Sequence, residues 1–524
     1  MIERAIENWL TNTNERNYLT PLAQTLLQRG HTILHVSRHG PLEQGKDIIT
    51  KAPNGELHAY QTKTGNIGLK EFRDYRGEIL DLIQLPVTVR GVSTSTEFKP
   101  FLVINGEFSD PAKNAIQSFN NGMVNKKFPP LNTIQKNELL QWFIEAQGRF
   151  IPLSFDDFQT FLSLYLSDGR DFIDKNRLSD FYSSAIFSQR SDNRSDNKNT
   201  LSGSVIINSY MLNNFQKELN EYAVFEAWTF LLSNLIRFAL KNEVRETDWE
   251  TTKNLILNEI LESLIELKKE VLERDDYLEG EMLGDGGVLY NVRFTLTMGA
   301  LAALELYNLT NVEGYADPGE LFETISKNAE RLFFWGESAF PFFFTIIKYA
   351  EKYDAEYAKT ILRDVCNILI SRNHPSTESP FRIPNPYYSP QDFLNVFFGL
   401  KPSLINFDHF IGSSYSLKPA ILMLARRNEK QFLEDRWRFI TRVFFNEFVP
   451  ANPEDAFLWS IPEGSNHTFE PRYPESWNHL TEEASDISDV PEIFQQNYRF
   501  LPFFVLVFPH RANAKLTTLL DLLY

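Results

Sequence analysis

The chain has one cysteine, Cys366, which excludes an intramolecular disulfide and any cysteine-rich zinc site. It sits in the apolar, helix-patterned stretch RDVCNILISR and reads as a buried, inert thiol. Long apolar runs are also missing, since none nears the ~18 residues of a membrane span. The best candidate, Leu501–Phe508, is short and contains Pro502. The opening MIERAIENWL lacks the basic segment and apolar run of a secretory signal. A mainly disordered chain is excluded as well, because 43% of residues are hydrophobic and 44 are Phe. A cytoplasmic protein without a membrane segment is expected, and 524 residues at roughly 100–200 per domain give two to four domains.

Excess positive charge is absent from the whole, but not evenly so. The net charge of −17 argues at first against a nucleic-acid partner. Residues 1–150, however, carry 17 Lys and Arg against 15 Asp and Glu, leaving 35 basic and 54 acidic residues for the remainder. A near-neutral head on an acidic body can approach phosphates if its basic residues cluster.

The head alternates helix and strand signals. Tyr18–Arg29 has helical spacing and is closed by Gly30, and Thr32–Val36 follows as a strand. Asp47–Thr50 and Leu57–Lys63 flank Pro53-Asn54-Gly55-Glu56, a hairpin signal. Leu69–Ile83 reads as one amphipathic helix, Phe101–Ile104 as a buried strand and Pro111–Asn120 as a helix. Leu131–Ile134 and Asn137–Ala146 close the unit. The order α-β-β-β-α-β-α-β-α predicts an α/β domain over 1–150. Residues 151–204 read as a helical connector with a disordered polar loop at 189–200 (QRSDNRSDNKNT). Residues 205–524 read as a mainly helical acidic region without a fixed repeat, interrupted by irregular Pro- and aromatic-rich loops at Pro375–Pro390 and Pro450–Pro474.

The chemistry concentrates in EQGKDIITKAPNGELHAYQTK, residues 43–63. Hydrolysis of a phosphodiester calls for a divalent cation on hard oxygens and a positive charge near the attacking water. Asp47 offers a carboxylate, Gln61 a neutral carbonyl oxygen and Lys63 the charge. Gln61 and Lys63 share a strand face. A two-residue Asn-Gly loop would pair Asp47 with Thr62 and leave it on the opposite face. A functional hairpin therefore requires a bulge or three-residue loop, opposing Asp47 to Lys63, or an Asp47 just before the strand.

This pattern resembles the PD-(D/E)XK, restriction-endonuclease-like superfamily, especially its Mrr-type branch, in which Gln-x-Lys replaces the acidic-x-Lys. The resemblance covers about the first 145 residues and includes the helix ending in Gly30, EQGKD, and FLVINGEFSDPAKNAI downstream. It implies Asp47 as metal-binding acid, Gln61 as the second-strand ligand position, Lys63 as catalytic lysine and Glu43 as an extra acid. Mg²⁺ or Mn²⁺ would be the cofactor. Many members carry a Glu in the first core helix, where this chain has Leu19. Glu15, one turn earlier, is the substitute metal ligand, and Glu7 is a poorer one. Without that acid the site would hold one metal only or be inactive.

Lys70, Arg73 and Arg76 lie three apart after the motif and can hold phosphates, or form a solvated face with Glu71, Asp74 and Glu78. Lys126 and Lys127 read as a charged loop. His31, His35 and His39 would need one long strand to form a metal site. His467 and His479, near Glu470 and Glu475, read as loop residues. Gly280–Gly287 lacks the Gly-Lys-Ser/Thr of a phosphate loop and reads as a turn. Phe333–Trp335 and Phe342–Phe344 read as helix core, or in part as a protein interface.

A Mg²⁺-dependent DNA endonuclease is thus expected, with a helical region that regulates or oligomerises it, acting alone or through a regulatory protein partner. A nuclease head on a long acidic body resembles effectors of bacterial anti-phage and restriction defence. Two further readings stay open: a non-catalytic nucleic-acid docking or scaffold protein on a degenerate nuclease fold, and a nuclease directed at RNA.

Overall fold

The computed structural model describes residues 2–37, 45–89, 92–147, 155–188, 194–273, 286–377, 383–400, 412–450, 452–459, 466–472, 474–488 and 490–524. The chain divides into two compact units, Met1–Glu262 and Ser263–Tyr524.

The first unit is built on a five-stranded mixed sheet. Helices α1 (Ile2–Asn12) and α2 (Glu15–Gln28) precede strands β1 (Thr32–Val36), β2 (Ile48–Lys51) and β3 (Leu57–Lys63). Then come α3 (Leu69–Asp74), α4 (Arg76–Gln84), β4 (Phe98–Ile104), α5 (Asp110–Asn125), β5 (Asn132–Ile134) and α6 (Lys136–Gln147). The strands lie in sequence order, with β1, β2 and β3 antiparallel and β3, β4 and β5 parallel. Parallel neighbours need crossovers, which α3–α4 and α5 supply.

Side-chain alternation along β3 and β4 feeds two cores. Tyr60 and Val103, with Ile48 and Ile134, pack against Trp9, Leu22 and Phe143 of α1, α2 and α6. Ala59, Leu102 and Ile104 pack against Phe72, Ile79 and Leu82 of α3 and α4, and against Ile116 and Phe119 of α5. At roughly 1.5–3 kcal/mol per buried large apolar side chain, these two layers fix the sheet's register. The α/β order expected for the head is present, with two departures. Helix α1 was not anticipated, although Ile6, Trp9 and Leu10 bury one face of it. The single helix expected over Leu69–Ile83 is two, broken at Tyr75, whose ψ of 0° ends α3 before α4 starts.

Helices α7 (Phe155–Tyr165), α8 (Lys175–Phe181), α9 (Arg194–Met211), α10 (Asn213–Lys217), α11 (Glu221–Lys241) and α12 (Glu246–Glu273) follow. The polar stretch expected as a disordered loop is, from Arg194, the start of α9, while residues 189–193 lie outside the described residues. The cause is tertiary. Ile206 and Tyr210 of α9 join the core of α1 and α2, as does Leu255 of α12. Side-chain hydrogen bonds from Gln28 to Asn199 and from Gln24 to Ser202, both 3.0 Å, tie down the polar turns.

The second unit is helical, with a small sheet of Ser413–Ser414, Phe444–Phe448 and Asn466–Phe469. Two of its longer helices, Gly286–Asn311 and Phe340–Ala350, press together at Gly299, where an added Cβ would lie 2.7 Å from Cβ of Phe342. Phe342, Phe343 and Phe344 are all buried, so this run is core. Leu501–Val507 is a buried helix, and of the glycine-rich stretch Gly280–Gly287 only the last two residues are described, opening a helix. Two helices, Glu221–Lys241 and Gly287–Asn311, have the length and apolar composition to cross a membrane, and the 18-residue apolar stretches within them are 89% and 67% buried inside the protein.

Candidate active site

The site lies where β3 ends, and the hairpin before it decides which side chains meet there. Ala52 and Glu56 pair through Ala52 N–H to the Glu56 carbonyl at 2.8 Å. The loop therefore has three residues, Pro53-Asn54-Gly55, with Gly55 at φ +87° in the left-handed region that favours glycine. The register runs Lys51 to Leu57 and Ile48 to Tyr60. The register stops at Ile48: Asp47 is not opposed to Lys63 but stands just before the strand, the other arrangement expected, and its N–H donates to the Tyr60 carbonyl at 2.8 Å. Two residues along a strand return to the same face, so Gln61 and Lys63 share one side of the sheet, while Asp47 stands outside the strand beside Thr62. Asp47 lies immediately before β2, and its Oδ2 accepts hydrogen bonds from Thr62 N at 2.6 Å and Thr62 Oγ1 at 2.7 Å.

Lys63 is the hub. Its Nζ lies 2.9 Å from Glu78 Oε2 and 3.4 Å from Glu15 Oε2, and 5.1 Å from the Tyr75 ring centroid. Glu15 comes from the first turn of α2, started by the Asn14 cap, and Glu78 from the first turn of α4. Carboxylates are favoured at helix starts by the partial positive charge there. The two helices belong to opposite layers of the sandwich, so the lysine is held from both sides. Burial alone would lower the Lys63 pKa, but the hydrogen bond to Glu78 and the charges of Glu15, Glu78 and Asp47 raise it above 10.5. Lys63 is therefore an ammonium at neutral pH. Glu15 is raised above its ordinary 4.5, by burial first and then by Asp47, with Lys63 opposing. Tyr18, one turn on in α2, donates from its hydroxyl to the Lys63 carbonyl at 2.9 Å.

Gln61 is 3% exposed, and its Nε2 donates to Glu78 Oε2 at 3.0 Å. A carboxylate takes only the amide nitrogen, so this bond fixes the amide's orientation. Its Oε1 is buried and has no hydrogen-bond partner among the described residues. A buried acceptor without a donor costs about 1–3 kcal/mol, and a hard cation would satisfy it. Asp47, Glu15 and Gln61 Oε1 are hard oxygen donors of the kind Mg²⁺ takes, an ion that keeps several waters and needs few protein ligands. Among the described residues no three His, Cys, Asp or Glu side chains gather to hold an ion. The fit thus depends on the Gln61 carbonyl.

Leu19 is buried in the core of α1 and α2, and Glu15 is the acid that this helix brings to Lys63. Glu7 instead pairs with Lys136 at 3.0 Å. Glu43 lies outside the described residues. Lys70, Arg73 and Arg76 are exposed on α3 and α4, and among the described residues no ion pair engages them. Glu78, expected on the solvated face, bonds both Gln61 and Lys63. Its only signal in the chain was a carboxylate in a helix's first turn. His31 bonds Thr50 Oγ1 at 2.9 Å through Nδ1 and is pushed down to about 4 by burial and by His58 and Arg29. His35 is on β1, and His39 lies outside the described residues.

Compared with protein-family models, with curated proteins and with solved structures, the chain matches none.

Proposed function

We propose that this protein is a Mg²⁺- or Mn²⁺-dependent endonuclease acting on DNA through Asp47, Gln61, Lys63 and Glu15. The observation that carries the reading is the buried Gln61 carbonyl oxygen, which has no hydrogen-bond partner among the described residues while Glu78 holds the amide nitrogen, on the strand that also carries Lys63. The β-hairpin with Gln61 and Lys63 on one face and Asp47 just before its first strand supports the resemblance to Mrr-type nucleases. Glu15, 3.4 Å from Lys63, supports the catalytic reading over the scaffold one.

Glu15, Asp47 and Gln61 would hold the cation, which when bound polarises the phosphate and lowers the pKa of a bound water. The chain's own contribution centres on Lys63. As an ammonium it takes no proton from water. It donates hydrogen bonds to phosphate oxygens as their charge grows in the transition state. Glu78 now occupies those donors, and a phosphate has to exchange with it. Lys70, Arg73 and Arg76 supply exposed positive charge for the flanking backbone.

The test is cleavage of supercoiled plasmid by the full chain with Mg²⁺ or Mn²⁺. Cutting is expected, abolished by EDTA and by Asp47→Ala. A wild-type chain that cuts neither DNA nor RNA and shows no Mn²⁺ binding by calorimetry would sink the proposal. Cutting of RNA alone would transfer the same chemistry to the other backbone.

The raised Glu15 carboxyl adds a pH signature. A proton and the cation compete for it, so Mn²⁺ affinity should fall as pH drops through a range above 4.5. Glu15→Gln should bind more weakly at pH 7 and show a flatter pH dependence. Calorimetry across a pH series reads both, and an identical slope in the variant would remove Glu15 from the ligand set.

A further inference from the structure

Two chain segments far apart in sequence must meet for the site to exist: the turn into α2, which carries Glu15, and the end of β3, which carries Lys63. Asn105, just after β4, touches both. Its side chain is 2% exposed, and Nδ2 donates to the Leu10 carbonyl at 2.7 Å and the Thr13 carbonyl at 2.9 Å. Leu10 is in the last turn of α1, where a helix leaves its carbonyls without internal partners. Thr13 directly precedes Asn14, the cap of α2. On the other side Asn105 Oδ1 accepts from Gly65 N at 2.6 Å, two residues beyond Lys63. Three of the amide's four hydrogen-bonding positions are thus filled by backbone of the two segments. There is no slack beside it: a Cβ on Gly106 would lie 2.2 Å from the Gly65 carbonyl oxygen.

We propose that Asn105 is the positioning residue of the site, fixing the turn that delivers Glu15 against the strand end that delivers Lys63. The inference rests on the metal-dependent reading for its catalytic consequence, but the tie itself does not. Asn105 touches neither cation nor substrate and acts through Glu15. A displacement of about 1 Å in such a constellation can cost as much as ~100-fold in rate. Tyr18 adds a second tie, its hydroxyl reaching the Lys63 carbonyl from α2 at 2.9 Å.

Two readouts on the full chain test this. In cleavage kinetics, Asn105→Ala should lower kcat at least ~10-fold with KM for DNA little changed. In a Glu15→Gln background the same substitution should add less than about 2-fold, because residues acting as one unit are non-additive. A full, additive loss in both backgrounds would make Asn105 an ordinary structural residue. In hydrogen–deuterium exchange without metal, Asn105→Ala should raise exchange in segments 10–18 and 63–67 together. Unchanged exchange in either segment overturns the tie. If Asn105→Ala does not fold, Asn105→Asp keeps the Gly65 acceptor and loses the two donors, so segment 10–18 alone should loosen. A wild-type chain that neither cuts nor binds Mn²⁺ removes the metal-dependent reading, and the exchange data then decide Asn105 on their own.

Discussion

Lys63→Ala is expected to slow plasmid cleavage by at least about 100-fold, the scale of removing one preorganised donor aimed at developing charge. The fold should survive. Lys63 is at the last position of β3, its alkyl chain is outside both core clusters, and its Glu78 partner is half exposed, so the lost ion pair contributes little to stability. Mn²⁺ binding should be retained or tightened, because the substitution deletes a positive charge 3.4 Å from the Glu15 carboxylate. The rate therefore falls while metal affinity does not, which separates a catalytic lysine from a structural one. Lys63→Arg keeps the charge but replaces a compact ammonium by a planar fork, and should recover only part of the rate. Cleavage within about 3-fold of wild type in Lys63→Ala would show that the charge does not act in the reaction, since a preorganised donor is worth far more.

Much of this site could be read from the chain because its elements are local. Gln61 and Lys63 share a face through the two-residue period of a strand, and Asn54-Gly55 announces the turn. The turn's length was not legible. Asn-Gly reads as a two-residue loop, but the Glu56 carbonyl takes Ala52 N–H, and the register this sets ends at Ile48, leaving Asp47 just before the strand. Glu15, Glu78 and Asn105 are brought in by tertiary packing, from the turn between two helices, from the far layer and from a strand end. No spacing rule joins Glu78 to Gln61, because the connection is made by Phe72, Ile79 and Leu82 docking α3 and α4 on the sheet. The start of α9 shows the same limit in the fold. Its composition favours disorder, and only the burial of Ile206 and Tyr210 further along makes it helical. In the second unit, periodicity gave helices but not the ion network that joins them, since that network depends on which helix ends meet.

Asp521→Ala is expected to destabilise the second unit by about 3–5 kcal/mol, the cost of removing one partner from a buried ion cluster. Asp521 lies near the end of helix Ala514–Leu523, with its side chain 2% exposed. Arg426 Nε lies 2.5 Å from it, Arg427 Nη2 2.8 Å and Lys348 Nζ 3.1 Å. Glu351 shares Arg427 and Lys348, leaving three cations on two carboxylates. Burial alone would raise the Asp521 pKa, but hydrogen bonding and charge from Arg427, then Arg426 and Lys348, hold it well below the ordinary 3.8. Because the folded value is depressed, the stabilisation is fully present above 3.8 and is lost only as pH falls through the lower folded value. The gap between wild type and variant should therefore stay constant from about pH 5 upward and close in stronger acid. Scanning calorimetry on the full chain should show one transition lowered by roughly 10 °C. Asp521→Asn, which keeps the shape and some hydrogen bonding but not the charge, should fall between the two. A variant that melts with the wild type would mean that the arginines find water or other acceptors in place of Asp521, and that the cluster sets the helices' arrangement rather than their stability.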